Sequence, residues 1–322
     1  MKALVIGCGH MGTRRAKILH ALGFELTLYD ADLRIARALG LEIGTNVFIH
    51  IAGLESYQTD YDVALICTPP ASHLQLAIQS AKNGMNVFIE KPLTDRWDEI
   101  GIKNLVETLQ AKGRWGMMGN SYRFLPSLRE FRRSFIDHDV IAADIWAGQH
   151  LADWHPGEAY RDSYTARIGV AYESLSHSFD LCNWLFGEIY SISALVGNSG
   201  ALDIKSSDTA TCLVRMRSGA AVTIHCDFLQ RPRDFHIDVV CATPEDGTHH
   251  RWVFKPSEAE EMYVKEMEAM KRSLEIDLQP QPDIFQGIKI QELIETAIAS
   301  SARGTWERSD DLWKQLAKRV EA

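Results

Sequence analysis

A short apolar run, residues 3–6, leads directly into Gly7-Cys8-Gly9-His10-Met11-Gly12, a G-x-G-x-x-G pattern that opens a helical stretch. In a strand–turn–helix of this kind the first glycine permits the tight turn. The second lets backbone approach a pyrophosphate, and the third lets the helix pack on the strand. The helix N-terminus offers N–H groups and the positive end of a dipole to phosphate. Gly7, Gly9, His10, Met11 and Gly12 are therefore read as the phosphate-binding segment of a dinucleotide site. Asp30 stands 23 residues after Gly7, where an acidic side chain hydrogen-bonds the adenosine ribose. A carboxylate there repels a 2′-phosphate, so NAD is the expected cofactor. Arg34, one helical turn later, keeps NADP open, and the competing role for Asp30 is a helix N-cap.

The next hundred residues repeat the same rhythm. Runs at 3–6, 26–29, 63–67, 87–89 and 115–118 are almost continuously apolar, as strands buried on both faces should be. Helical patterns lie between them. In one, Ser72 and Gln75 form an expected capping box, Leu74, Ala77, Ile78 and Ala81 an apolar stripe, and Gly84 the stop. Beyond about residue 120 the rhythm changes. A helix over 172–186 precedes strand-like runs at 189–196, 209–216, 221–228, 236–242 and 251–254, joined by short turns such as Ser218-Gly219. Such turns favour antiparallel pairing. Tyr263, Met267, Met270 and Leu274 mark a helix, 284–299 a second and 311–320 a third. The expected fold is an α/β Rossmann-type doubly wound parallel sheet at 1–121, followed by an α+β domain at 122–322 with a mainly antiparallel open sheet. A chain of 322 residues is long enough for two domains.

A net charge of −9 argues against broad nucleic-acid or anionic-membrane binding. The six cysteines form no C-x-x-C pair and no zinc-spaced cluster, and His249-His250 has no nearby ligand in the sequence; no metal is expected. They read as small hydrophobes of a reducing compartment. No apolar run reaches the ~18 residues of a membrane span. Only four apolar residues separate Met1-Lys2 from Gly7, too few for an export signal. A soluble, cytoplasmic protein is the expectation.

Two strand ends carry further polar groups. Cys67-Thr68-Pro69-Pro70, followed by His73, sets a rigid loop where cofactors bind, with Thr68 and Pro69 walling the nicotinamide ribose. Glu90-Lys91-Pro92 ends another strand on the same edge, where Lys91 either aims an ammonium at a substrate oxygen or stands solvated in a turn, the reading that an isolated E-K-P tripeptide favours; the bond before Pro92 is expected to be cis. On the 172–186 helix, Glu173, His177 and Asp180 fall at i, i+4 and i+7 and share one face, opposite Leu175, Phe179, Cys182 and Phe186. That polar stripe either works chemically or faces water. Residues 149–164 are dense in aromatic and polar groups, including Trp154, Tyr160, Arg161 and Tyr164. Flat rings suit sugars, and an arginine fork suits a carboxylate or phosphate; a structural loop is the competing reading of the same stretch.

In order and spacing, Gly7–Gly12, Thr68-Pro69 with His73, residues 81–84, Val87 and Glu90-Lys91-Pro92 resemble the glucose–fructose oxidoreductase / inositol dehydrogenase / MocA family. Asn120-Ser121-Tyr122-Arg123-Phe124-Leu125-Pro126 is similar to that family's entry into its second domain. The stretch 169–180 resembles its second signature, with Glu173 where the family usually has Asp and the glycine run reduced to Gly169. The resemblance implies an NAD(P)-dependent oxidoreductase acting on a secondary alcohol of a sugar or sugar derivative, in surface-polysaccharide pathways. It makes His177 the acid–base group, Lys91 a donor to the substrate oxygen and Glu173 the partner of His177. Glu90 and Lys91 join the cofactor edge, while Arg123, Asp180, Trp154, Tyr160, Arg161 and Tyr164 join Lys91 and His177 at the substrate. Relatives that cleave glycosidic bonds through NAD, a non-catalytic sensor, and reduction of a non-sugar such as a diol or tetrapyrrole are the alternatives. Apolar and polar residues on both sides of the second sheet, with relatives pairing through it, imply a homodimer or a homotetramer.

Overall fold

The computed structural model describes residues 1–47, 61–242 and 247–309. Within them the chain forms two compact units. One gathers Met1–Ser121 with Tyr263–Lys289, the other Tyr122–Met262 with 290–309. Residues Tyr263–Lys289 thus group with the first unit rather than with the rest of 122–322. The helix expected over 311–320 lies outside the described residues.

In the first unit the strands and helices alternate: β1 (Lys2–Ile6), α1 (His10–Ala21), β2 (Glu25–Tyr29), α2 (Leu33–Ile43), β3 (Asn46–Val47), β4 (Val63–Ile66), α3 (His73–Lys82), β5 (Asn86–Glu90), α4 (Glu99–Ala111) and β6 (Gly116–Gly119). The strands pair in parallel in the order β3-β2-β1-β4-β5-β6. Residues 3–6 and 63–66 are wholly buried, which explains their unbroken apolar character: both faces are covered. The order reverses between β1 and β4. Ligands of such sheets bind there, beyond the carboxyl ends of the strands. Gly7, Thr68 and Lys91 follow β1, β4 and β5 on that edge. The two-residue β3 at the sheet margin was not among the apolar runs.

The second unit contains α5 (Pro126–Arg133), β7 (Asp139–Gly148), α6 (Tyr164–Phe186), β8 (Ile189–Gly197), β9 (Thr209–Met216), β10 (Ala221–Asp227), β11 (Asp234–Ala242) and β12 (Gly247–Val253). The helices α7 (Ala259–Ile276) and α8 (Ile284–Arg303) follow. The sheet order is β12-β11-β7-β10-β9-β8. All pairs are antiparallel except β7 with β10, which is parallel. β7, near the centre, was missed as a strand. Its run DVIAADIWAG holds Val140, Ile141, Ile145 and Trp146, but Ala142, Ala143 and Asp144 split them into two pairs, so neither a continuous apolar run nor a strict alternation marks the strand. One face of the sheet is closely packed: Val222, Ile224, Cys226, Ile237, Val239 and Cys241 are fully buried.

α6 is two helical pieces joined at Gly169, whose φ of 74° and ψ of 176° interrupt it. The second piece begins at Val170, two residues before the expected start.

Candidate active site

The glycine turn of the first unit is shaped by close contacts. Gly7 has φ +92°, and a Cβ there would lie 2.7 Å from the Cys67 carbonyl oxygen. A Cβ on Gly12 would stand 1.7 Å from the Gly7 carbonyl oxygen, so α1 packs against the turn only because residue 12 has no side chain. Gly9 differs: a Cβ there would meet nothing within 4 Å. The protein's own packing does not demand glycine at position 9; a group brought against the backbone would. No side chain caps the start of α1, which suits an anion at its N-terminus. His10 is exposed and Met11 half-buried beside this turn.

Asp30 is locked to the same turn. Its Oδ2 accepts the Cys8 N–H at 2.7 Å and its Oδ1 the Asp32 N–H at 2.8 Å. The cap of α2 is Asp32, which accepts from the Arg34 N–H, so the alternative role of Asp30 as helix cap is set aside. Arg34 forks onto Asp32, Nε to Oδ1 at 3.0 Å and Nη2 to Oδ2 at 2.6 Å. Those hydrogen bonds draw the Asp32 carboxyl down to about 2. Burial, then the Asp30 charge, pushes the Cys8 thiol up to about 12, so it is an inert packing group. These residues fit an NAD-type dinucleotide: a turn open at Gly9, an uncapped helix end and a fixed carboxylate near both.

The loops after β4 and β5 are tied together by His73. Its ring is buried, with Nδ1 2.9 Å from the Pro92 carbonyl oxygen and Nε2 2.7 Å from that of Thr68. His73, expected beside the cofactor, thus acts through Thr68 and the Lys91–Pro92 turn, whose peptide bond is cis. The expected capping box is absent. Ser72 Oγ donates to the Pro69 carbonyl oxygen at 2.9 Å and lies 2.7 Å from Thr68 Oγ1. A 3₁₀ turn at Pro70–Ser72 leaves Ser72 out of the extended backbone that an N-cap needs.

Glu90 has a partner that sequence reasoning missed. Arg15, wholly buried on α1, reaches Glu90 Oε1 through Nε at 2.9 Å and Nη2 at 2.8 Å, and Glu266 Oε2 through Nη1 at 2.6 Å. Its guanidinium also lies over the Phe88 and Tyr263 rings, 4.9 and 5.0 Å from their centroids. Burial opposes its charge, but Glu266 and then Glu90 outweigh that and raise its pKa. Glu90 therefore sits beneath the cofactor edge, holding α1 to the end of β5. An arginine amid an apolar stripe facing a distant glutamate gives no local signal.

In the second unit, α6 carries Glu173, His177 and Asp180. Glu173 and Asp180 are buried and His177 half-buried, so the stripe does not simply face water. Leu175, Phe179, Cys182 and Phe186 are buried on the other side. Val170 N–H donates to the Ser207 carbonyl oxygen at 2.8 Å, which fastens the start of this piece. The His177 ring meets Tyr122 edge-on, centroids 4.6 Å apart. Tyr122 in turn packs on Phe235 at 5.0 Å and accepts from Arg233 at 3.3 Å. Tyr122 is a brace that the sequence contained but did not mark.

Arg123 and Asp180, expected at the substrate, face each other. Nε reaches Oδ2 at 2.8 Å and Nη2 reaches Oδ1 at 2.6 Å, both residues buried. This two-pronged pair joins the start of the unit to α6. The aromatic stretch separates into parts. Trp154 packs edge-on against Phe228 at 5.5 Å. Arg161 lies over the Tyr160 ring at 5.7 Å and pairs with Asp203 at 3.1 Å. Tyr164 is exposed at the start of α6.

Residues 1–120 match the family model described as "Oxidoreductase family, NAD-binding Rossmann fold", and residues 139–243 match the GFO/IDH/MocA C-terminal domain. The chain is 27% identical over 234 residues to a scyllo-inositol 2-dehydrogenase (NAD(+)) of Bacillus subtilis, covering 69% of this chain and 65% of that protein. In the first curated relatives the matched stretch spans between 49% and 66% of their own length. Among solved structures, a myo-inositol 2-dehydrogenase from Lactobacillus plantarum superposes with a TM-score of 0.82 at 17% identity, covering 96% of this chain and 99% of that one. An oxidoreductase from Agrobacterium radiobacter, in complex with NAD+, L-tartaric acid and magnesium, gives 0.83 at 16% identity over 97% and 99%. At such identities the likeness is one of fold.

Proposed function

The chain belongs to the GFO/IDH/MocA oxidoreductase family, and from that premise we propose that it exchanges a hydride between NAD and a secondary alcohol or ketone of a sugar or sugar derivative. The observation that carries this reading is the state of His177. It keeps partial exposure on a helix face whose other two polar members are buried, with its ring braced by Tyr122.

Bound NAD supplies the hydride acceptor. The chain's own residues bind, orient and move a proton. The Gly7–Gly12 turn and the N-terminus of α1 would hold the pyrophosphate, and Asp30 the adenosine ribose. Thr68 and Pro69 would stand at the nicotinamide ribose. In the oxidation direction His177 takes the hydroxyl proton as general base. Lys91 donates to the substrate oxygen and stabilises the charge that develops on it. Glu173 orients His177. Trp154, Tyr160, Arg161 and Tyr164 offer rings and a cation to a sugar, the chemistry expected of surface-polysaccharide precursors. Six cysteines in the thiol form suit a reducing, cytoplasmic setting. The open face of the second sheet serves a homodimer or homotetramer.

The experiment is a thermal-shift panel of sugars and nucleotide sugars with NAD present, followed by assay of NADH formation on the ligand that binds. His177→Ala and Lys91→Ala should each lower turnover, by on the order of 10²–10⁴ for the acid–base group, with NAD binding kept. An active double variant defeats the mechanism. Release of a sugar without net NADH would instead assign the chain to glycosidic-bond cleavage.

A further inference from the structure

Sequence spacing leaves His250 without ligands, but the fold brings two to it. His138, Cys241 and His250 each offer a ligand atom, and these atoms all lie within 4.8 Å of one another. They come from three places in the second unit. His138 lies in the turn after α5, where its N–H donates to the Phe135 carbonyl oxygen at 2.9 Å. Cys241 is on β11, at a register shift against β7 between Val240 and Cys241. His250 is on the edge strand β12, paired with Val239. Cys241 is opposite Thr248 on the same ladder, so Cys241 and His250 are diagonal neighbours on the packed side of the sheet.

We propose that His138, Cys241 and His250 form a binding site for one divalent cation of the zinc class. One thiolate and two imidazoles are the ligand set of a borderline-soft ion and not of magnesium or calcium, which take oxygen. Three protein ligands leave the fourth tetrahedral position to water. The surroundings hold the imidazole as metal-bound histidines are held. Ser134 Oγ donates to the Phe131 carbonyl oxygen at 2.7 Å and lies 3.2 Å from His250 Nδ1. With its proton so used, Ser134 accepts from Nδ1–H, and that tautomer keeps the lone pair on Nε2, which lies 3.2 Å from Thr248 Oγ1; a bound ion takes the place of that hydroxyl as the partner of Nε2. The Phe135 ring, 6.0 Å from that of His250, packs beside it. The His138 and His250 rings are 6.1 Å apart, too far to be stacked on each other. His138 is exposed and gives the ion a way in.

Without an ion Cys241 is a thiol, the ordinary form of a cysteine near neutral pH. On binding, the S–H bond breaks and the S–metal bond forms. The proton leaves to solvent, and two neutral imidazoles lend lone pairs. The ion plus one thiolate carries a net charge of +1. Bound there, the ion ties the β11–β12 edge to the segment leaving α5 and stabilises the unit by mass action.

The test uses the full chain, stripped with a chelator and dialysed, then titrated with Zn²⁺ by calorimetry and with Co²⁺ by absorbance. One equivalent of Zn²⁺ should bind, Co²⁺ should give a thiolate-to-cobalt charge-transfer band, and Zn²⁺ but not Mg²⁺ should raise Tm. Cys241→Ser should abolish the band, and His138→Ala or His250→Ala should each weaken Zn²⁺ binding at least about tenfold. No band in the parent chain, or a band that survives Cys241→Ser, overturns the site. Should Cys241→Ser not fold, the His138→Ala/His250→Ala double variant, altered only at exposed and half-buried positions, decides: an unchanged band and unchanged Zn²⁺ stoichiometry overturn the proposal.

Discussion

Two single residues carry the sharpest expectations. Asp30 presents a fixed carboxylate beside the glycine turn, and Arg34, a cation that would favour a 2′-phosphate, is engaged by Asp32. NADH should therefore bind more tightly than NADPH, and Asp32→Ala should narrow the gap by releasing Arg34. Dissociation constants for the two nucleotides check both statements. His73 is a pH-sensitive group. Burial lowers its pKa, against the opposing pull of the Thr68 and Pro92 carbonyls. Below the unfolded value of about 6.5 the unfolded chain binds a proton that the folded chain does not. Stability should fall as pH drops below 6.5, by at most about 1.4 kcal/mol per pH unit from this group, and level off once the folded-state pKa is passed. His73→Gln should flatten that share of the slope in urea midpoints between pH 5 and 7. An identical slope in parent and variant would mean His73 titrates alike in both states.

At the scale of the element, the α6 helix owes its second start to one glycine and one serine. Gly169 has φ +74°, and a Cβ would lie 2.7 Å from Ser207 Oγ and 2.8 Å from the Ser207 carbonyl oxygen. That carbonyl receives the Val170 N–H, and the hydroxyl receives the Ala171 N–H at 3.3 Å. Gly169→Ala combines an unfavourable backbone region with a clash, and should cost about 1–3 kcal/mol. Ser207→Ala removes only the side-chain cap and should cost about 1 kcal/mol. Because Gly169 starts the piece that carries Glu173 and His177, its alanine variant should also lose turnover beyond what the stability loss explains. Urea midpoints with turnover at a fixed folded fraction separate the two effects.

For the whole molecule, the open face of the second sheet is the surface with the most to explain. One row across it runs Leu195, Thr211, His225, Trp146, His236 and Val253 by strand register. Trp146 stacks on His225 at 4.0 Å and is 6.3 Å from His236 at an interplanar angle of 5°. Leu195 is 76% exposed, Leu213 44% and Val253 48%. Apolar groups set among ordered polar ones suit a two-fold interface. The proposed homo-oligomer should scatter light as a multiple of 36.3 kDa, and Leu195→Asp with Leu213→Asp should shift it towards the monomer. A parent chain that is monomeric at working concentration removes the proposal. Among the described residues no helix is long and apolar enough to cross a membrane.

What the sequence determined by itself was local and periodic. The continuous apolar runs of β1, β4 and β5 reveal strands buried on both faces, because a residue covered on every side must be apolar wherever it points. That Gly7–Gly12, Asp30 and Lys91 stand at strand ends could be read because each follows a short apolar run. The i, i+4, i+7 stripe of α6 follows from helix geometry alone, but not its fate. Whether Glu173 and Asp180 are buried or wet depends on what packs against them. Long-range partners were beyond reach for the same reason. Arg15 meets Glu90 and Glu266, Arg123 meets Asp180, and His73 bridges two loops, all through chain separations that leave no periodic trace. β7 escaped because Ala142, Ala143 and Asp144 break its apolar residues into two short pairs. His138, Cys241 and His250 are the clearest case, since a cluster made by a sheet edge and the exit of a helix exists only once the chain has folded.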